Sequence, residues 1–448
     1  MQFADFIAAG FPDASRSPFF YSMEISWKRN FYTLWVAQLV AVMGFHAVQP
    51  FLAYYVQEFD VESLDEALLW AGYMGSAAGF AMALSSPIWG ALADRFGRKS
   101  MVVRSMIGGG LTVLFMAYAD TVVELLIARF FQGALAGTVT ACITMVSTTT
   151  PKQHLGYAMG MMQGAFLLGA ALGPLMGGPF IEAYGYYACF LASGALVVAA
   201  GLGVQLLVRE DFTAHQRQGP EGDQAEGGLS HFFSDAGRLL RLKPFFITLV
   251  FVIMIQFAYG VIMPVIPLFL QQLAGRDDIL TEAGLIFSLM SLTGAISSAL
   301  MGKWTMTIGV KRMLFGGLMS SAVVMGLQGG ATSVMMLAVL QVLGGLATGA
   351  VRPVANTIVT YVVDEEDRGK AFGLMTSAAA LGWALGPSVG GIVGAGWGFR
   401  SVFYMTAGLF VCVALWAKWA MSELVLQEEA GIKKINLASL RKRFLRRR

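Results

Sequence analysis

The sequence predicts an all-α integral membrane protein with twelve transmembrane helices in two pseudo-symmetric six-helix bundles. Three observations predict it. Long apolar runs recur along a 448-residue chain that is 56% hydrophobic and only 13% charged. Lys and Arg collect in alternate connections between those runs. The first half of the chain also repeats in the second at a nearly constant offset.

The apolar runs set the fold class. A helical span needs about 20 residues to cross a ~30 Å hydrocarbon core. In lipid it must satisfy its own backbone hydrogen bonds, which selects the helix. Twelve such spans read at 31–57, 67–92, 101–119, 122–146, 156–180, 186–208, 245–271, 282–302, 312–330, 333–360, 370–395 and 399–421. The first run is too long for a signal-peptide core, and no small-residue cleavage site follows it. Cys142, Cys189 and Cys412 lie inside apolar runs and read as small packing residues, without a disulfide or metal framework.

Charge sets the topology. Gly90-Ala-Leu-Ala-Asp-Arg-Phe-Gly-Arg-Lys-Ser-Met crowds Asp94, Arg95, Arg98 and Lys99 into one short turn, with Arg104 just beyond. Charge that dense lies at a membrane surface, and the basic excess marks the cytoplasmic one. Lys28 and Arg29, Lys152, the 209–243 stretch, Lys303 with Lys311 and Arg312, and Arg368 with Lys370 fall on the same side. Glu58, Asp60, Glu62, Asp65 and Glu66 fill the first loop of the opposite side. Both termini are expected in the cytoplasm. The net charge of +3 reflects these loops and implies no nucleic-acid partner.

The repeat sets the domains. Pro50 answers Pro264, Gly97 answers Gly309, Gly173-Pro174 answers Gly386-Pro387, and Tyr184-Gly185 answers Trp397-Gly398. Parallel repeats of this kind place a substrate site near the midplane, between two bundles. The expected units are an N-terminal extension (1–27), a first bundle (28–208), a cytoplasmic linker (209–243), a second bundle (244–421) and a basic tail (422–448). In the extension Phe3, Phe6 and Ile7 make a weak apolar face that Pro12 and Pro18 interrupt. The middle of the linker is Gly-rich and acidic, while Leu229, Phe232, Phe233, Leu239, Leu240 and Leu242 suit a short helix lying on the membrane. The tail from Lys433 to Arg448 alternates apolar residues with bases and suits the anionic inner leaflet.

These motifs resemble the major facilitator superfamily, and within it the twelve-span drug:proton antiporters. The Gly90–Lys99 turn resembles the superfamily's loop signature between spans two and three. Arg129-Phe-Phe-Gln-Gly resembles its span-four signature, and Gly169-Ala-Ala-Leu-Gly-Pro-Leu-Met-Gly-Gly resembles the antiporter signature of exporters. Gly44 with Pro50 resembles the drug-exporter pattern of span one. The resemblance covers residues 23–421. It implies that Asp94 meets the start of span eleven, near Gly369 and Lys370, as a conformational latch formed with Gly90, Arg95, Gly97, Arg98 and Lys99. It also implies proton transfer at Arg129. Met306 stands where the second copy would carry the acid, so the latch is expected on one side only.

Physical chemistry adds candidates. A central Arg costs ~2.5–3.5 kcal/mol on insertion scales, so Arg129 reads as functional. Gln132 lies nearly one turn away, and Glu124 near the outer end is a candidate partner. Span one carries no acid at mid-membrane, and His46 is the one imidazole deep in a span, so His46, Glu124 and Arg129 are the proton-coupling candidates. Gly169, Gly173, Gly177 and Gly178 with Pro174 suit close, bendable helix packing. Polar and soft groups inside the spans mark the expected substrate cavity: Gln38, Phe45 and Gln49; Gln132; Gln163 and Phe166; Gln256, Tyr259 and Met263; Gln341, Arg352 and Asn356; and Trp383.

No P-loop is present, so ATP does not drive the protein directly. Four histidines, three of them outside the spans, argue against a metal site. The reading is a cofactor-free, non-enzymatic exporter of amphipathic small molecules, working as a monomer in the bacterial inner membrane on the proton gradient. Its partners are substrate, protons and membrane lipids. A lipid or lysolipid translocator of the same fold and a non-transporting membrane sensor are the competing readings.

Overall fold

The computed structural model describes residues 18–210, 237–276, 278–349 and 368–419. Every regular element among them is helical. Span one is Pro18–Val48, continued by short turns to Glu58. Spans two and three are Leu64–Phe96 and Arg98–Met116. Span four is Val122–Leu135 with Thr138–Thr149. Leu155–Leu207 holds spans five and six across a kink at Gly185. Span seven is Lys243–Ile262 with Val265–Ala274. Spans eight to ten are Leu280–Ile308, Val310–Gly329 and Val334–Gly349, and spans eleven and twelve are Arg368–Trp397 and Phe399–Trp419. Helices among the described residues coincide in order with the twelve sequence-predicted spans, span ten as far as Gly349. The calls on residues 1–17, on Leu229, Phe232 and Phe233, and on the basic tail lie outside the described residues.

Local chemistry explains where helices start and break. At the acidic end, Ser63 accepts from the Glu66 N–H at 3.2 Å and Thr121 accepts from the Glu124 N–H at 3.2 Å. The Glu124 carboxylate reaches back to the Asp120 N–H at 2.9 Å, which makes a capping box. Pro50 cannot continue the helical ladder, and span one passes there into the 3₁₀ turn Gln49–Phe51. Pro264 separates the two helices of span seven in the same way. The repeat extends to backbone conformation. Gly97 and Gly309 turn the chain at φ 88° and 93°, and Gly185 and Gly398 do so at 80° and 82°.

These angles separate two glycines of the charged turn that the sequence treats alike. Gly97 needs its positive φ, whereas Gly90 sits inside the span-two helix with nothing within 4 Å of an added Cβ. Gly97→Ala is expected to cost about 1–3 kcal/mol of backbone strain. Gly90→Ala is expected to leave the melting temperature level or raised, since Ala suits a helix interior better by ~1 kcal/mol. Thermal melts of the two purified variants check the difference.

Glycine faces hold the bundles together. Cβ atoms added at Gly169, Gly173 and Gly177 of span five would strike the Leu39, Met43 and Ala47 carbonyls of span one. Cβ atoms added at Gly382, Gly386 and Gly390 of span eleven would strike the Ile253, Phe257 and Val261 carbonyls of span seven. The partners repeat as faithfully as the glycines do. Small residues at this spacing let two backbones touch, which is how helices associate where lipid competes equally for apolar surface.

Two further joints connect the bundles. Span two meets span eleven through Gly72, Gly75 and Gly79 against Pro387 and Ala384, and Ser76 Oγ accepts from the Ser388 N–H at 2.9 Å. Span five meets span eight through Gly178 on the Leu280 carbonyl and Pro174 on Gly284.

Candidate functional site at the bundle interface

The two ends of the molecule are packed differently. At the acidic end one buried core takes residues from both bundles, including Phe51, Tyr54, Tyr55 and Leu68 from the first and Ile266, Phe269, Leu270 and Ala283 from the second. At the basic end the first bundle has its own core around Trp27, Phe31, Met106 and Met145. A separate core around Phe245, Leu249 and Met375 belongs to the second bundle. Neither of these two basic-end cores contains a residue of the opposite bundle. Among the described residues the acidic end is joined across both bundles, whereas the basic-end cores are not shared; residues 350–367 and the Asp94 side chain, which belong to that end, lie outside them.

Polar contacts seal the closed end. Gln57 and Gln271 exchange two hydrogen bonds: the Gln57 Nε2 donates to the Gln271 Oε1 at 2.9 Å, and the Gln271 Nε2 donates back at 3.0 Å. Their numbers differ by the repeat offset, so they face each other across the pseudo-two-fold axis. The Tyr54 hydroxyl donates to the Pro267 carbonyl at 2.7 Å. That oxygen lies on the span-seven segment that follows the Pro264 break. The Glu182 carboxylate accepts from the Thr281 N–H at 3.0 Å and from its hydroxyl, so the end of span five caps the start of span eight.

The candidate residues fall into three groups. In the first, Arg129 is buried in span four and donates to the Gln132 Oε1, and its Nε has no partner. His46 lies at the span one–span five joint, where its Nδ1 contacts the Val42 carbonyl at 3.0 Å and its ring meets Phe166 edge-on at 6.1 Å. Gly173 is the close neighbour that leaves room for it. Gln49, Gln132, Phe166, Met263 and Trp383 are half-buried, and Gln163 is exposed.

Residues of the second group make contacts to neighbouring helices or caps. Gln38 is fully buried and donates to the Met162 carbonyl at 2.7 Å, beside Trp35, which donates to Met161 at 2.9 Å. It ties span one to span five and does not line an open cavity. Phe45 packs on Gly109 of span three, Gln256 backs Gly382 of span eleven, and Tyr259 rests on Phe410 of span twelve at 5.6 Å. Gln341 is 1% exposed and so is closed off from any cavity. Glu124 is exposed, and its carboxylate is engaged by the capping box. Among the described residues it pairs with neither Arg129 nor His46. Its charge serves the helix start, a local role in place of the expected partnership with Arg129.

The third group lies outside the described residues: Arg352, Asn356 and the Asp94 side chain, and with it the expected contact to span eleven. The rest of the charged turn is visible. Glu210, at the end of span six, accepts from the Arg98 and Lys99 N–H groups at 2.9 and 2.8 Å, and so caps span three. Lys99 Nζ donates to the Gln205 carbonyl at 2.8 Å, and Arg95 lies over the Phe96 ring at 5.4 Å. Asn30 of span one exchanges hydrogen bonds with the Arg209 backbone at 2.7 and 3.1 Å. Behind the turn, Gly137 at φ 113° breaks span four. Trp89 Nε1 and Arg104 Nη2 bond the Ala134 and Ala136 carbonyls beside that break, with Arg104 stacked on Trp89 at 3.7 Å.

A family model of the Major Facilitator Superfamily matches residues 34–280 and again 278–448. The chain belongs to the major facilitator superfamily. Multidrug resistance protein MdtG of Yersinia enterocolitica is 29% identical over 406 residues, which are 90% of this chain and 96% of that protein. The same-named protein of Citrobacter koseri is 30% identical over 394 residues, or 88% and 95% of the two chains. Among solved structures, a bacterial homologue of the human lysosomal transporter Spinster superposes with a TM-score of 0.72 at 15% identity, covering 88% of this chain and 96% of its own. Likeness at that identity establishes the fold. Membership makes the chain a multi-pass membrane transporter and not an enzyme. It also gives the two-bundle geometry a common purpose, since such transporters rock one bundle against the other around a fixed site.

The residues that seal the acidic end went unnoticed in the sequence. Gln57 and Gln271 were findable: each follows by seven positions the proline that interrupts its span, at the offset the repeat already supplied. Glu182 and Glu210 carry no comparable signal, because capping across spans depends on tertiary neighbours.

Proposed function

We propose that the protein exports amphipathic, drug-like small molecules in exchange for protons across the bacterial inner membrane. The observation that carries this reading is the unequal packing of the two ends among the described residues, with one core shared by both bundles at the acidic end and separate cores at the basic end, around glycine joints that suit tilting of the bundles. By the Lys/Arg bias the basic end is cytoplasmic, as are both termini. Substrate then enters from the cytoplasm or inner leaflet and leaves when the acidic end opens. Similarity to MdtG along nearly the whole chain supports the multidrug class.

The moving units are residues 28–208 and 244–421, joined by the 209–243 linker and flanked by the 1–27 extension and the 422–448 tail, in a monomer without a cofactor. Substrate contact falls to Gln49, Gln132, Gln163, Phe166, Met263 and Trp383, with Arg352 and Asn356. Proton coupling falls to Arg129 with Gln132 and to His46, since Glu124 is engaged as a helix cap. Asp94 latches the basic end to span eleven when that end closes.

Expression in an efflux-deficient bacterial strain tests the reading. Cells making the protein should accumulate less ethidium than control cells, and a protonophore should abolish the difference. Unchanged dye accumulation together with faster movement of labelled lysolipid would replace it with the lipid-translocator reading. No flux of either kind would leave a sensor.

A further inference from the structure

The acidic end carries a cleft that the transport reading does not use. Its volume is about 470 Å³, and its lining includes Tyr55, Glu58, Gly185, Tyr186, Tyr187 and Leu280. That volume lies in the range of small-molecule sites. The lining comes from the end of span one, the turn between spans five and six, and the first residue of span eight. Both bundles therefore build it.

Its chemistry is narrow. Three tyrosine rings and one carboxylate converge, and no basic residue is among them. The rings are held in place. Tyr55 is buried, with ring centroids of Phe59, Tyr186 and Phe190 at 5.0, 4.9 and 4.9 Å. Tyr187 donates to the Tyr118 hydroxyl at 3.2 Å and meets that ring edge-on at 5.5 Å. Glu58 is exposed, and among the described residues no cation pairs with it. Of the two arginines on this side of the membrane, Arg276 is paired with Asp278 and Glu282, and Arg400 donates to the Ala331 carbonyl. Asp60, Glu62, Asp65 and Asp120 add to a negative field around the mouth.

An interfacial belt accounts for Tyr184, which is 70% exposed. It does not account for three tyrosines and an exposed carboxylate lining one cleft between bundles. Ring faces that carry negative charge density, set beside one carboxylate, recognise an organic cation. We propose that this cleft is a peripheral binding site for organic cations of the quaternary-ammonium class, separate from the midplane site. The proposal goes beyond the export reading and does not rest on it. Because Leu280 and the Glu182–Thr281 cap belong to the closed arrangement, a bound cation favours closure of the acidic end, and closure favours the cation to the same degree.

The test uses full-length protein in nanodiscs made without choline lipids. A fluorophore is attached at Glu62→Cys, beside the cleft, or at Ser100→Cys at the basic end, both in a Cys412→Ser background. The probe is a nitroxide bearing a trimethylammonium group, which quenches the fluorophore only at close range. Saturable quenching is expected from Glu62→Cys and not from Ser100→Cys, and neutral and sulfated nitroxides should show no saturation. Glu58→Gln and Tyr187→Ala should each shift the midpoint about tenfold, whereas Tyr187→Phe, which keeps the ring, should hold it. Thermal melts confirm that each variant is folded. Competition by a short-chain phosphocholine lipid would identify a headgroup as the natural source of the cation, and its absence would point to a free solute. A midpoint unmoved by Glu58→Gln, or equal quenching by the neutral nitroxide, would overturn the proposal.

Discussion

Joining positions 57 and 271 covalently, through cysteines and a short reducible bis-methanethiosulfonate linker, is expected to stop transport. Gln57 and Gln271 already exchange two hydrogen bonds across the axis that relates the bundles, so their side-chain ends meet only while the acidic end is closed. In a Cys412→Ser background, Gln57→Cys with Gln271→Cys should cross-link with that linker, whose length makes up for the two shortened side chains. Cys142 and Cys189 are buried and do not compete. Dye efflux should fall to the background of empty membranes and return on reduction. The paired change Gln57→Ala with Gln271→Ala should act in the opposite sense. It removes the pair without leaving one amide buried and unpartnered, and two net hydrogen bonds are worth about 1–3 kcal/mol together. That is enough to shift a balanced equilibrium roughly tenfold or more toward opening. Full efflux from the cross-linked protein would mean that the acidic end need not open.

Arg129→Ala should separate stability from function. The guanidinium is buried with one amide partner, and its Nε has none, so its desolvation is poorly repaid. Removing it should leave the melting temperature unchanged or raised. Proton-driven efflux should nevertheless fall by roughly tenfold or more, equivalent to ~1.4 kcal/mol on the limiting barrier. Arg129→Lys should not rescue it, since an ammonium cannot reproduce the fork of a guanidinium. Substrate counterflow, which needs rocking but no net proton movement, should survive in both variants. Loss of counterflow together with efflux would recast Arg129 as a structural residue of span four.

The fold was legible because membrane constraints act on composition. Length, apolarity and Lys/Arg placement gave the spans. The offset pairs Gly97/Gly309 and Gly185/Gly398 marked the turns where the backbone adopts positive φ. The glycine ladder of span five was legible as close packing, and its partners on span one are the carbonyls that spacing leads one to expect. Individual roles were less legible. Gln38 and Gln341 share helical faces with cavity candidates, yet both are buried among neighbouring helices. A polar residue in a span is an equally good hydrogen-bond partner for substrate, water or a neighbouring backbone, and periodicity does not distinguish them. Gly90 is grouped with the latch by its motif, yet it lies in a helix interior where an added Cβ meets nothing within 4 Å.

Purified protein in liposomes, loaded with dye and given a pH jump, tests the export claim most directly. Orientation is fixed by protecting one side from a membrane-impermeant inhibitor of exposed thiols. Protein whose basic end faces the dye should move it toward the acidic end only when the acidic side is the more acid, and each transfer should carry protons the other way. Equal dye movement with and without the gradient, or with the gradient reversed, would contradict proton-driven export.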